Sequence, residues 1–476
     1  MLKRRNKEIK LPDSIILMSD SYKYSQFVQY PKNTTRVRSY IESRGGDWDE
    51  TVMFGLQAFM LRYLTVKVTH EMINEAEPIV LGNGEPFNRA GWEYIVDVLG
   101  GKLPLTIKAL PEGTVVETQQ VLAVVENTDD NCAWLTSFCE TALLRAVWYG
   151  TTVATNSFVS KKIILEALIE SGTPGDIAFK LNDFGARGVS SHESAGIGGA
   201  GHLVNFMGSD NIEAVVHARN FYDATIAGFS IPAMEHSTVT SWGRNGEEAS
   251  FRNMLKQFGM KIGLTSNSPL IACVSDSYDI YKACELWGTK LKQDVIASGS
   301  VIVVRPDSGY PADVVLDCLK ILAKHFGTVR NEKGFKVLNN VRVIQGDGID
   351  HDMIRSILNI ATINGFSADN IAFGQGGALL QQVNRDTLRF AMKCSALKAD
   401  GVWIDVFKDP ITDKGKVSKK GAVTLFRDYD GKFVSDLEAN AAQYIEEALI
   451  TVFENGETMN EIYWEDVVAN AAKYFQ

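Results

Sequence analysis

Between Ile177 and Gly377 the chain repeats one pattern: a short apolar run, a loop of polar residues or glycine, then a stretch of helical periodicity. The runs are Ile177–Leu181, Ile226–Ile231, Leu270–Val274, Val301–Val304, Val341–Ile344 and Ile371–Phe373. Short runs rich in Val and Ile read as strands buried on both faces. Helical segments such as Pro311–Phe326 and Asp352–Asn364 lie between them. Strands that alternate with helices of this length run parallel, because each helix carries the chain back to the same end of the sheet. Six such strands, with loops bearing Asp, Arg, His or Gly, predict a (β/α) barrel-like sheet with one functional face. An open doubly wound sheet would gather its site near a single crevice instead.

Outside this region the pattern is mixed. Val37–Arg44 and residues 103–125 read as strands, and residues 50–64, 86–98, 133–148 and 155–170 read as helices. Thr173-Pro174-Gly175 breaks the last of these and marks a domain boundary. Beyond residue 390 basic loops and a strand, Val423–Arg427, precede terminal helices. A net charge of −10 argues against a general nucleic-acid surface. The basic start Met1–Lys7 has no apolar core of signal-peptide length behind it, and no apolar run is long enough to span a membrane. Six scattered cysteines, with no CxxC pair, suit reduced thiols in a cytoplasmic protein.

The loops carry the chemistry. Asn182-Asp183-Phe184-Gly185-Ala186-Arg187-Gly188 offers an aromatic face, a fixed positive charge and glycines that let a ligand approach the backbone. Gly346-Asp347-Gly348 and Gly374-Gln375-Gly376-Gly377 follow strands and expose backbone N–H groups suited to phosphate. Asp307 and Asp347 stand beside serine or glycine at strand ends, where a carboxylate can hold ribose hydroxyls. Each would equally suit an ordinary turn. His236, next to Glu235, sits at a strand end; it could exchange a phosphate, act in acid–base chemistry or simply hydrogen-bond. No HxH or HExxH spacing supports a zinc site. Gly196–Gly201 fits GxGxxG, but polar residues 190–194 precede it where a strand is required, so it reads as a helix packed through small residues.

Seven motifs then fall in a familiar order: Asp20-Ser-Tyr22-Lys, Asp183-Phe184-Gly-Ala-Arg187-Gly, Pro232-Ala-Met-Glu235-His236-Ser-Thr, Ser275-Asp276-Ser-Tyr-Asp, Arg305-Pro-Asp307-Ser-Gly, Gly346-Asp347-Gly348 and Gly374-Gln-Gly376-Gly377. In that order they resemble the nicotinamide phosphoribosyltransferase family of type II phosphoribosyltransferases. The resemblance covers the chain from about residue 14 onward. It implies an irregular (β/α) barrel-like domain over 175–385 and a flanking α/β domain formed from both chain ends, 1–174 with 386–476. It also implies a homodimer with shared sites, and transfer of phosphoribose from 5-phosphoribosyl 1-pyrophosphate (PRPP) to nicotinamide, coupled to ATP. Phe184 and the partner's Tyr22 would sandwich the pyridine, with Asp210 and Arg305 at its carboxamide. Asp307, Gly346 and Asp347 would hold ribose, and Gly376 and Gly377 its phosphate. Arg187, Arg44, Arg385, Lys393, Lys408 and Lys419 match the residues for pyrophosphate and ATP phosphates. His236 matches a histidine that ATP phosphorylates, beside Glu235 and oriented by Asp276. Mg²⁺ would arrive with PRPP and ATP rather than on a protein site.

Asn182, Ala186 and Ala272 depart from the family, where His, Tyr and Ser are familiar. Three other readings remain open at this point: a nicotinate phosphoribosyltransferase, a non-catalytic nucleotide-binding or signalling relative, and a barrel aldolase or isomerase. The last would want a lysine at a strand end, and none of the six loops puts one there.

Overall fold

The computed structural model describes residues 14–412 and 416–476. The basic N-terminal heptad lies outside them. The chain forms two compact units, Met1–Thr152 with Asn384–Gln476, and Val153–Val383.

The second unit is built on six parallel strands: β1 (Leu181–Asp183), β2 (Gly208–Ser209), β3 (Leu270–Val274), β4 (Val301–Arg305), β5 (Val341–Gln345) and β6 (Ile371–Gln375). Their order is β2-β1-β6-β5-β4-β3, and the sheet curls. The segment 229–233 bridges its two edges, Phe229 to Gly208 on β2 and Ala233 to Ala272 on β3. Alternate residues face opposite ways. Ala272, Val303 and Ile344 form an inner cluster with Phe184, Ile231 and Ala372 against it. Ile271, Cys273, Ile302, Val304, Val343 and Phe373 join the larger core shared with the helices.

Four helices matter for the site: α1 (His192–Leu203), α2 (Ile212–Tyr222), α3 (Pro311–Phe326) and α4 (His351–Ile363). Pro311 opens α3, where its fixed φ suits a first turn and its missing N–H costs nothing. Asp350 caps α4 by accepting from the Met353 N–H at 2.8 Å. Val315, Leu319 and Leu322 of α3, and Ile354, Ile357 and Leu358 of α4, are buried. Each such side chain is worth about 1.5–3 kcal/mol of transfer free energy.

The structure corrects several expectations. Ile177–Leu181 is not a strand: Pro174–Phe179 form a 3-10 helix, and β1 begins where the expected strand ended. Pro174 at the first helical position accounts for this start. Ile226–Ile231 makes one isolated bridge, Phe229 to Gly208, rather than a strand, and Ile226 and Phe229 stay exposed. The sixth strand is β2, too short to read from pattern. Residues 133–148 and 155–170 are a short helix, Ala133–Phe138, and one continuous helix, Glu140–Ser171. Glycines 196–201 lie inside α1, as their composition suggested.

The first unit holds a seven-stranded antiparallel sheet. Its order is Val402–Asp405, Ala391–Ala399, Thr34–Glu42, Val121–Asn127, Leu105–Ala109, Ile450–Glu454 and Glu457–Thr458. Both chain ends thus supply strands, and Tyr40, Ile107, Val125, Trp92, Phe138 and Leu425 share one core. Strands at 446–458 stand where only helices were expected, since Ile450 is exposed and the run is short. Among the described residues no helix is long and apolar enough to cross a membrane.

His202 of α1 is fully buried. Its Nε2–H donates to the Gly208 carbonyl at 3.0 Å, and its Nδ1 accepts from Ser157 Oγ at 3.0 Å. Burial pushes the imidazole down to about 4, against opposing hydrogen bonds to the Gly208 and Leu181 carbonyls. Below pH 6.5 the unfolded chain gains a proton at this histidine that the folded chain refuses until about pH 4. Its contribution is therefore complete above pH 6.5 and lost as pH falls toward 4, about 3 kcal/mol in all. Urea unfolding at pH 7.5 and pH 5 should show a smaller loss of stability in His202→Gln than in the parent. Equal losses would contradict this assignment.

Candidate active site

In this unit the expected site residues lie in loops at the C-terminal end of the parallel sheet. Phe184 follows β1; its N–H donates to the Gln375 carbonyl of β6 at 3.0 Å. The ring lies over Gly374 and beside Gly346. A Cβ at Gly374 would fall 1.9 Å from the ring, and one at Gly346 would fall 3.2 Å away. Gly374, read above with the phosphate loop, is therefore needed to seat Phe184. The Arg305 guanidinium stands 5.4 Å from the ring centroid. It also donates to Asp307 Oδ1 at 2.9 and 3.2 Å, which fixes the fork at the end of β4. The result is an aromatic face with a cation over it and a carboxylate behind the cation.

Asp210 follows β2. Its N–H donates to the Asp183 carbonyl at 3.0 Å, and its Oδ1 accepts from Ser230 Oγ at 2.6 Å. Asp183 is fully buried; its Oδ1 accepts from the Gly185 N–H at 2.7 Å and its Oδ2 from Asn211 Nδ2 at 2.9 Å. Burial pushes its carboxyl up to about 6, opposed by those hydrogen bonds.

His236 opens the short helix His236–Thr240. Its Nε2–H donates to Asp276 Oδ1 at 3.0 Å, and Ser308 Oγ donates to Asp276 Oδ2 at 2.7 Å. The Asp276 side chain is 5% exposed and that of His236 47%. A carboxylate whose side chain is 5% exposed, with one donor on each oxygen, thus orients an open imidazole and leaves Nδ1 with its lone pair free. Glu235 is exposed and accepts from Ser237 Oγ.

Gly376 and Gly377 begin a short turn of helix, Gly377–Leu380. A Cβ at Gly377 would meet nothing within 4 Å, and one at Gly376 only the Phe184 carbonyl at 3.7 Å. The loop is open on its outer side. Asn156 holds it from behind, donating Nδ2 to the Ala378 and Leu379 carbonyls at 2.9 and 3.1 Å. Asp347 and Arg187 are exposed, and Arg187 has no ion-pair partner among the described residues.

The remaining expected residues belong to the first unit. Arg44 Nε donates to Glu42 Oε1 at 3.0 Å, while Lys419 Nζ bonds Glu42 Oε2. Glu42 is 3% exposed, and Arg44 Nη2 is buried without a partner. Burial pulls the Lys393 ammonium below its ordinary value; Glu140 opposes this, and Arg44, Lys408 and Lys23 add to it. These cations are held together with fewer acids than they need, an arrangement suited to a polyanion. Arg385 is exposed and paired with Asp386 at 2.9 Å. Tyr22, 56% exposed, has the Lys23 ammonium 5.3 Å from its ring centroid.

Sequence reasoning missed Asp183 and Asn211, Ser308, Ser230, Glu42 and Lys23 as contributors, and gave Gly374 a different part. Ser308 was within reach, one residue after Asp307. The others act through contacts between distant segments. Among the described residues no group of three or more His, Cys, Asp or Glu is placed to hold a metal ion.

Residues 179–457 match the nicotinate phosphoribosyltransferase family, and residues 14–107 match the N-terminal domain of nicotinamide phosphoribosyltransferase. The chain belongs to the nicotinate phosphoribosyltransferase family. It is 52% identical over 466 residues to the nicotinamide phosphoribosyltransferase of Xanthomonas campestris pv. campestris, covering 96% of this chain and 98% of that one. It is 31% identical to the enzyme of the same name from Acinetobacter baylyi, covering 93% and 95%. Two solved structures share the fold. One is a nicotinate-nucleotide pyrophosphorylase from Pyrococcus furiosus, with TM-score 0.61, 14% identity and 99% coverage of each chain. The other is the human nicotinic acid phosphoribosyltransferase, with TM-score 0.57, 15% identity and coverage of 96% and 93%. Like its relatives, this chain is a phosphoribosyltransferase.

The fit of Phe184 over Gly374 sets a test within this phosphoribosyltransferase. Gly374→Ala forces the ring to move and should destabilise the fold by about 1–3 kcal/mol, as overpacking does. Adding Phe184→Leu should return most of that loss in urea unfolding. Purely additive effects would show that the two residues are not in contact.

Proposed function

We propose that the enzyme transfers the 5-phosphoribosyl group of PRPP to nicotinamide, giving nicotinamide mononucleotide and pyrophosphate in NAD salvage, with ATP as a coupled substrate. The pyridine nitrogen attacks the ribose C1 as the C1–O bond to pyrophosphate breaks. Phe184 and the partner's Tyr22 hold the ring flat and in line, which lowers the entropic cost of the encounter. Asp307, Gly346 and Asp347 hold the ribose, and the Gly376–Gly377 backbone holds its phosphate. Arg187 and the Arg44, Arg385, Lys393, Lys408 and Lys419 set balance the departing polyanion, with Mg²⁺ entering on PRPP and ATP. In this reading the active form is a homodimer in the cytoplasm.

Asp210 carries the choice of pyridine. A carboxamide presents an N–H₂ donor, which an ionised carboxylate accepts; nicotinate presents a second negative charge. Asp210 is exposed in the single chain, so solvent moderates the repulsion, and a preference of about tenfold or more is expected, tenfold being 1.4 kcal/mol. Product analysis with PRPP and each pyridine, with and without ATP, tests the reaction itself. Asp210→Ser should bring kcat/KM for nicotinate closer to that for nicotinamide. A parent enzyme that already uses nicotinate equally well would favour the nicotinate reading suggested by the family's name.

His236 carries the coupling. Its free Nδ1 would attack the γ-phosphorus of ATP, the P–O bond to ADP would break, and water would later release phosphate. The His236–Asp276–Ser308 arrangement supports this by holding Nε2 away from the reaction. His236→Ala should abolish ATP stimulation while leaving some transfer, and ³¹P NMR of the parent with ATP should show a phosphoramidate on Nδ1. Equal stimulation in parent and variant would remove the role.

A further inference from the structure

The buried carboxylate of Asp183 touches no solvent and no part of the proposed chemistry, yet it joins the two residues assigned to the pyridine. Phe184 is its chain neighbour. Asp210 donates its N–H to the Asp183 carbonyl at 3.0 Å. The side chain reaches both segments as well: Oδ1 accepts from the Gly185 N–H at 2.7 Å and Oδ2 from Asn211 Nδ2 at 2.9 Å. Asn211 in turn caps α2, accepting from the Ala214 N–H at 3.3 Å, and donates to the Ala195 carbonyl of α1 at 2.9 Å. α1 comes this close only through Gly199, where a Cβ would fall 2.4 Å from Asn211 Nδ2 and 2.9 Å from Asp183 Oδ2.

We infer that Asp183, bracketed by Asn211 and seated by Gly199, is a positioning residue that sets the spacing between Phe184 and Asp210 and thereby the fit and selectivity for the pyridine. The physical case is one of matching donors and acceptors. Asp183 is acceptor-only when ionised and receives one donor on each oxygen. Burying a charge is costly unless it is hydrogen-bonded, so the carboxylate holds both partners firmly. It makes two contacts that no neutral residue of the same shape can reproduce. An Asn at 183 turns an N–H₂ toward either the Gly185 N–H or the Asn211 N–H₂, and one contact becomes donor against donor. The two loops then part without any loss of a ligand-touching atom.

This inference rests on the placement of Phe184 and Asp210 at the pyridine, and the test separates the two ideas. Steady-state kinetics and thermal unfolding are measured for Asp183→Asn, Asn211→Ser and Gly199→Ala. Asn211→Ser keeps an acceptor to cap α2 and removes only the donor to Asp183 and Ala195, so it serves if Asp183→Asn does not fold. Phe184→Ala and Asp210→Ala act as controls. The expected result is a rise of about tenfold in KM for nicotinamide in the bracket variants, the loss of one charged hydrogen bond. The KM for PRPP should stay within about twofold, and the preference for nicotinamide over nicotinate should narrow. The double variant Asp183→Asn with Asn211→Asp, which restores one donor–acceptor pair, should recover part of the loss. If the controls raise the nicotinamide KM and the bracket variants do not, Asp183 is only a structural acid. If the bracket variants raise both KM values alike, the effect is general loosening, and the inference is overturned. If the controls themselves leave the nicotinamide KM unchanged, the pyridine assignment is at fault, and the inference falls with it.

Discussion

Parallel pairing of β1 to β6 is the constraint on which the site depends. Strands that run the same way must end on the same side, so each C-terminal loop opens toward its neighbours. The sheet curls, and the segment 229–233 ties both its edges. Residues as far apart in sequence as Phe184, His236, Arg305 and Gly376 then meet at one end of one unit. None of the loops has much regular structure of its own, and their placement is inherited from the ladder beneath them.

Orientation within those loops comes from buried carboxylates. Asp276 takes His236 on one oxygen and Ser308 on the other. Asp183 does the same for the Gly185 N–H and Asn211. In the other unit Glu42 takes Arg44 on one oxygen and Lys419 on the other. The design recurs because an ionised carboxylate accepts on both sides and holds two donors at a fixed angle, and charged hydrogen bonds are about twice as strong as neutral ones. An exposed functional group can then point at a ligand while its orientation is determined out of reach of water.

Much of this was legible from residue pattern. Val301–Val304 and Val341–Ile344 are strands because β-branched side chains suit a sheet buried on both faces, and Pro311–Phe326 is a helix with those bounds. The motifs around His236, Arg305 and Phe184 all fall at the C-terminal end of the curled sheet. What pattern could not show were contacts made across it. Nothing local marks Asp183 as different from any turn acid; only its pairing with Asn211, and the tight approach allowed by Gly199, do so. β2 was invisible because two residues carry no periodicity, and 226–231 misled because apolar content says nothing about whether a neighbour offers a ladder.

The glycines show how one residue type answers two demands in a single loop. Gly376 and Gly377 leave the backbone open on its outer side. Gly374, two residues earlier, makes room for an aromatic ring instead. The two uses stand two residues apart, one on β6 and one in the loop that follows it. The loop after β4 links functions in the same way. Asp307 steadies Arg305, and the next residue, Ser308, steadies Asp276 and through it His236. A shift in that loop would reach both the cation over the Phe184 ring and the His236 imidazole. Two consecutive side chains thus tie the cation over the Phe184 ring to the His236 imidazole through one loop.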